Sequence, residues 1–278
     1  MVMNFEPQML ATAPGELTSV IVAGEGSPLT FLHGSGPGVS ATANWWLNLP
    51  SIAQRHCVIA PDLLGFGETQ MQAGAGLGIR AWVDHVLRVL DALNIDKTWL
   101  IGNSLGGWIA LQLAIDHPDR VSGIVSMGTG GAVRASSIAG QAAADTSLDG
   151  VRKVLHKFVY DPSIVPEDLV VKRFKALQSE PARERFAAVV AAREIDRAEF
   201  PLTEDGLRSL HMPVLLVHGR EDAIIPARRS WELHQLIPQS ELHMFSKCGH
   251  WSQVEYSTDF NQLVKWFVDR HTPADARN

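Results

Sequence analysis

Cysteine is nearly absent: 278 residues contain two, Cys57 and Cys248, far apart in sequence and without metal-ligand spacing. That excludes a disulfide framework and fits free thiols in a reducing cytosol. There is no basic block, and a formal charge of −6 is spread along the chain, so no nucleic-acid partner is expected. No apolar run approaches the roughly 18 residues of a spanning helix, so no membrane association is expected. The opening MVMNFEPQML lacks the basic start and apolar stretch of a secretory signal, which makes the cytoplasm the expected location. What is present is ordinary globular composition, 46% hydrophobic and 19% charged. A chain of this length can bury a large core without disulfide or metal staples.

The first half alternates strand and helix signals. LTSVIVA (17–23), PLTFLHG (28–34) and RHCVIAPD (55–62) are apolar, β-branched runs bounded by Gly or Pro. IRAWVDHVLRVLDALNI (79–95) sets Trp82, Val86, Val89, Leu90 and Leu93 at helical spacing. TWLIG (98–102) predicts a buried strand, SLGGWIALQLAIDH (104–117) a helix stopped by Pro118, and RVSGIVSMG (120–128) another strand. This alternation predicts an α/β fold, a mostly parallel central sheet with helices on both faces.

From about Gly130 to His211, helical stretches replace the strand signals: SLDGVRKVLHKFVY, PEDLVVKRFKALQS and ARERFAAVVAAREIDRAEF. They predict a helical cap, residues 130–211, inserted after the sixth strand into a core built from 1–129 and 212–278. The sheet resumes with PVLLVHG (213–219) and SELHMFS (240–246), followed by helices over 227–237 and 257–270. The tail HTPADARN is expected to fray.

Gly102-Asn103-Ser104-Leu105-Gly106 fits the pattern G-x-S-x-G. A glycine-flanked serine alone is also a tight turn. Here it leaves an apolar strand and opens a helix, the setting of the nucleophile elbow in the α/β-hydrolase fold. The glycines let a strained turn pack closely and hold the Ser104 hydroxyl above the sheet. The helix N-terminus aims backbone N–H groups at a developing oxyanion. HGSGPG (33–38) follows a central strand, where this fold supplies one oxyanion donor. The expected donors are the amides of Ser35 or Gly36, and of Leu105. A phosphate-cradling loop is disfavoured, because neither a P-loop Lys-Ser/Thr nor GxGxxG spacing is present.

A serine hydroxyl needs a base, and the base an orienting acid. In this fold the chain order is Ser, Asp/Glu, His. After the strand Val214–Val217, Glu221 and Asp222 compete as the acid. Asp222 is favoured, since Glu221 abuts the strand end and is better placed for solvent or Arg220. Of eleven histidines, His85, His156 and His234 fall in predicted helices, His117 ends one, and His243 lies inside a strand. His33 and His218 end strands near the site, in supporting positions. Only His250, in the loop before the last helix, has both the order and the place of the base.

Taken together, HGSGPGVSATANWW (33–46), APDLLGFGET (60–69), GNSLGGWIAL (102–111), GREDAIIP (219–226) and CGHWSQVE (248–255) resemble the meta-cleavage product hydrolases. The likeness covers nearly the whole core. It implies hydrolysis of a carbon–carbon bond in a 2-hydroxy-6-oxo-hexa-2,4-dienoate, giving 2-hydroxypenta-2,4-dienoate and a carboxylic acid. It further implies that Asn44 and Asn103 line the pocket and that Trp251 packs beside the dienoate. Arg193 would bind the carboxylate and 2-oxo group, a task that suits a guanidinium fork. Arg183, Arg185 and Arg197 stand nearby in sequence. In the implied mechanism the dienol ketonises, Ser104 activated by His250 attacks the 6-oxo carbon, and water releases the acid. No metal or organic cofactor is implied, and no ligand cluster is visible. The resemblance suggests a homodimer or larger homo-oligomer, with the dienoate as small-molecule partner.

A carboxylesterase would use the same triad and oxyanion hole, with no requirement for a cap arginine. Haloalkane dehalogenases and epoxide hydrolases place Asp where this chain has Ser104, and epoxide hydrolases need cap tyrosines, of which only Tyr160 is available. A perhydrolase stays open. A non-catalytic binding protein on this scaffold would have no need of all three catalytic residues. The group beyond C6 is unassigned. Trp108, Met127, Leu148, Leu155, Phe158, Phe174, Leu177 and Trp231 are the expected contributors to its pocket.

Overall fold

The computed structural model describes residues 3–72, 74–131 and 145–272. Its frame is a sheet of β1 (Gln8–Ala13), β2 (Glu16–Ala23), β3 (Pro28–Leu32), β4 (Cys57–Pro61), β5 (Thr98–Asn103), β6 (Val121–Met127), β7 (Val214–Gly219) and β8 (Ser240–Phe245). The spatial order is β1-β2-β4-β3-β5-β6-β7-β8. The β1–β2 and β2–β4 pairs are antiparallel, and every other pair is parallel. Parallel neighbours require crossovers, and the crossover helices cover both faces. Strands β5 and β7 are consequently buried at every position, which is why TWLIGN and VLLVHG are so apolar.

Side-chain alternation along the strands divides the core into two layers. Leu100, Ile124 and Leu216 face helices Ile79–Ala92, Leu105–Asp116 and Arg228–Leu236. Their chain neighbours Trp99, Ile101, Val125, Leu215 and Val217 face helices Ala41–Trp45, Leu49–Ile52 and Ser257–His271. The predicted strands and long helices are all present. Strand β1 carries no sequence signal because QMLATA, an edge strand, is exposed or half-buried throughout and has no core-facing alternation. Helices Ala41–Trp45 and Leu49–Ile52 are too short for an amphipathic repeat.

Between β6 and β7 the described chain forms helices Leu148–Lys157, Glu167–Lys175, Glu180–Glu199 and Glu204–Arg208. Ser147, Ser179 and Thr203 cap three of them, each hydroxyl accepting a backbone N–H. Val151, Leu155, Phe158, Val170, Phe186 and Val190 close a third apolar cluster, which reaches Ala43 and Trp251 of the sheet region. The insertion also serves a helix outside itself. Gly78 precedes helix Ile79–Ala92 with no side chain to cap it, and Asp196 Oδ2 accepts the Ile79 N–H at 2.6 Å. The expected cap boundary near 130 adjoins 132–144, which, like the tail from 273, lies outside the described residues. No helix among the described residues is long and apolar enough to cross a membrane.

Candidate active site

Ser104 joins β5 to helix Leu105–Asp116 with φ 54° and ψ −107°. An L-residue holds such a backbone only where its surroundings enforce it. Close packing does so here. A Cβ at Gly102 would stand 2.4 Å from the Gly106 carbonyl oxygen, and one at Gly106 2.0 Å from that of Leu32. The Ser104 N–H donates to Met127 O at 2.8 Å, which ties the elbow to β6. Leu105 is the first helical residue, so its N–H has no intrahelical acceptor.

Asp222 and His250 come from the loops after β7 and β8. The His250 Nδ1–H donates to Asp222 Oδ2 at 2.7 Å, and His218 Nε2 lies 3.1 Å from the same oxygen. Ile224 and Ile225 donate their N–H groups to Asp222 Oδ1 at 2.7 and 2.9 Å. Burial alone would raise the Asp222 carboxyl. The charge of His250 and the hydrogen bonds from His218 and His250 outweigh it and hold the group well below the usual carboxylate range. An ionised Asp222 keeps the proton on Nδ1 and leaves Nε2 as the acceptor of the ring. Glu221, the rival acid, is engaged elsewhere: Oε1 accepts from Arg220 and Oε2 from the Cys248 N–H. His33 braces the glycine loop, donating from Nδ1 to Gly34 O at 2.6 Å and accepting the Leu63 N–H at 3.0 Å.

Ser104 and His250 line one cavity. Gly34, Ser35 and Gly36 border it, with Asn44 and Asn103, whose side-chain nitrogens are buried without a protein acceptor. Val154, Phe158, Phe186, Val190, Ile224 and Trp251 supply its apolar wall. Arg193 is there too. The structure thus brings Ser35, Gly36, Asn44, Asn103, Ser104, Arg193, His250 and Trp251 to one cavity, with Asp222 behind His250. The three rival arginines are elsewhere: Arg183 bonds the carbonyls of Leu177 and Gln178, Arg197 pairs with Glu194, and Arg185 borders an outer groove.

Sequence reasoning missed Arg173. It is 1% exposed, lines the cavity, and donates to Pro37 O at 3.4 Å and Ala43 O at 3.1 Å. Its guanidinium lies 5.2 Å from the Trp251 ring centroid. Burial pushes it down to about 9. Burial likewise pushes Arg193 down to about 10, with Arg197 adding to the effect and Glu194 opposing it. Among the described residues neither has a carboxylate within ion-pairing distance, and the Nε of each is buried without an acceptor. A signal for Arg173 existed. It shares a helix face with Leu169 and Val170, both buried, where a cation is out of place.

The expected pocket for the C6 group needs correction. Of its eight residues only Phe158 lines the cavity. Trp108 and Met127 lie in the two core layers, Leu155 and Leu177 are buried in the insertion's own cluster with Leu148 and Phe174 packed against it, and Trp231 is 53% exposed. Side-chain size, the only cue for them, does not say which way a residue points. Among the described residues no group of three or more His, Cys, Asp or Glu could hold a metal ion.

The family model described as the α/β-hydrolase fold matches residues 27–167 and 168–256. Over 271 residues the chain is 39% identical to 2-hydroxy-6-oxo-2,4-heptadienoate hydrolase of Pseudomonas putida, covering 95% of this chain and 97% of the relative. Over 262 residues it is 42% identical to 2-hydroxymuconate semialdehyde hydrolase of a Pseudomonas species, covering 92% of each. A meta-cleavage product hydrolase of Pseudomonas fluorescens, solved as a serine-to-alanine mutant with acetates, aligns with a TM-score of 0.88 and 35% identity, covering 95% of this chain and 98% of that one. The chain belongs to the α/β-hydrolase-fold family and, within it, to the meta-cleavage product hydrolases.

Proposed function

We propose that the protein hydrolyses the C5–C6 bond of a 2-hydroxy-6-oxo-hexa-2,4-dienoate, using Ser104 as nucleophile, His250 as base and Asp222 as orienting acid. The carrying observation is a single cavity that joins Ser104 and His250 to two buried arginines that, among the described residues, lack carboxylate partners. A bidentate carboxylate with an adjacent oxo group matches guanidinium forks, and a neutral ester does not. The esterase reading keeps the triad and leaves Arg173 and Arg193 without a task.

His250 Nε2 takes the Ser104 proton as Oγ attacks C6 of the ketonised substrate. The oxyanion accepts from the N–H groups of Leu105 and of Ser35 or Gly36. The C5–C6 bond then breaks, its electron pair delocalises toward the 2-oxo group held by the arginines, and protonation gives 2-hydroxypenta-2,4-dienoate. Water, activated by His250, releases the carboxylic acid from Ser104. Asn44 and Asn103 donate to the bound substrate, and Trp251 flanks it. The helical cap spans 130–211 and the core 1–129 with 212–278. The relatives named for a heptadienoate and a muconate semialdehyde act on molecules with one carbon or none beyond C6, which supports a small substituent here. We place the enzyme in the cytoplasm as a homodimer or larger homo-oligomer.

The test is a panel of coloured 2-hydroxy-6-oxo-dienoates with methyl or phenyl at C6, beside a nitrophenyl ester. The methyl compound should be turned over fastest, and Ser104→Ala should lower kcat by about 10⁴-fold or more. Ester turnover with the dienoate colour unchanged would establish the esterase instead.

A further inference from the structure

Glu255 has no part in the triad and does not line the cavity, yet its carboxylate joins two segments that do. Oε1 accepts the N–H of Gly249, beside His250, at 2.6 Å. Oε2 accepts the N–H of Tyr160, a corner of the helical insertion, at 2.7 Å. The Asp161 N–H bonds the same carboxylate. A parallel link runs from the Trp251 N–H to Phe158 O at 3.0 Å. The two segments touch so closely that only glycine fits between them: a Cβ at Gly249 would stand 2.8 Å from Phe158 O and Val159 C. Across this junction the Phe158 ring lies 5.6 Å from the His250 ring and 5.0 Å from Trp251.

Apolar packing alone lets such surfaces slide. One carboxylate with short, charge-assisted bonds to N–H groups on both sides fixes their spacing. Carboxylate chemistry matters, because both oxygens act as acceptors, whereas a glutamine would turn an NH₂ toward one of the donors. Burial raises the Glu255 carboxyl above its ordinary range, and the backbone N–H bonds oppose that rise.

We propose that Glu255 is a positioning residue: it latches the Phe158–Asp161 corner onto the Gly249–Trp251 loop and so sets His250 and the Phe158 wall in one register. The proposal rests on His250 being the base. It concerns geometry at the reacting atoms, so kcat is the parameter it moves.

The experiment compares wild type, Glu255→Gln, Gly249→Ala and His250→Ala on the methyl dienoate and the nitrophenyl ester, with circular dichroism and Tm as folding controls. Glu255→Gln is expected to remain folded, to lose about tenfold to hundredfold in kcat on both substrates, and to keep KM within about twofold. Gly249→Ala forces the same segments apart from the other side and should reproduce that split, which covers the case in which the Gln variant fails to fold. Wild-type kcat in a folded variant of either kind, or a loss confined to KM, overturns the latch. Wild-type turnover that persists in His250→Ala overturns instead the catalytic reading beneath it.

Discussion

A guanidinium buried without a carboxylate is tolerated where carbonyls, an aromatic face or a bound anion compensate it. Arg173 has two carbonyls and the Trp251 face, while Arg193 faces the same cavity from the long insertion helix. Arg173→Gln and Arg193→Gln should each raise KM for the dienoate by about tenfold or more and change ester kinetics far less, as expected when a charged partner of a buried anion is removed. Equal effects on both substrates would take that arginine out of its role. Asp222 gives a pH prediction. Its folded value lies below the ordinary 3.8, so between the two values the unfolded chain binds the proton and the native one does not. Its stabilisation is complete above about 3.8 and is lost as pH falls below it. The Tm difference between wild type and Asp222→Asn should therefore narrow with acidification through that range, and a constant offset would contradict the assignment. The candidate triad could be picked out because elbow motif and chain order restrict it to few positions. Arg173 was hidden among Lys172 and Lys175, whose exposed charges make the whole stretch resemble a solvated face.

Among the elements, β5 and β7 could be read directly because strands buried on both faces are apolar along their centres, Trp99–Ile101 and Val214–Val217. Strand β1 and the short helices could not, since their identity depends on neighbours distant in sequence. The start of helix Ile79–Ala92 is another such case. Gly78 gives no capping signal, and the acceptor comes from Asp196, 117 residues away. Asp196→Ala should destabilise the fold by about 1 kcal/mol, the usual worth of an N-cap acceptor, and Asp196→Asn by less. Urea denaturation measures both, and an unchanged midpoint for the alanine variant would show that the bond contributes nothing.

For the molecule as a whole, the insertion and the sheet region each complete the other. Trp251 and Ala43 enter the insertion's apolar cluster, Asp196 reaches out of the insertion to cap a helix, and Glu255 reaches into it. These exchanges bear on how such a protein diversifies. A recombination that swapped the helical segment as a cassette would leave Ile79 bare and Glu255 facing an unmatched corner unless the donor carried the same partners. Single substitutions along Val154, Phe186, Val190 and Ile224 reshape the wall while leaving the polar links of Asp196 and Glu255 in place. New substrate preferences are therefore reached more readily by gradual drift of the wall than by shuffling of parts.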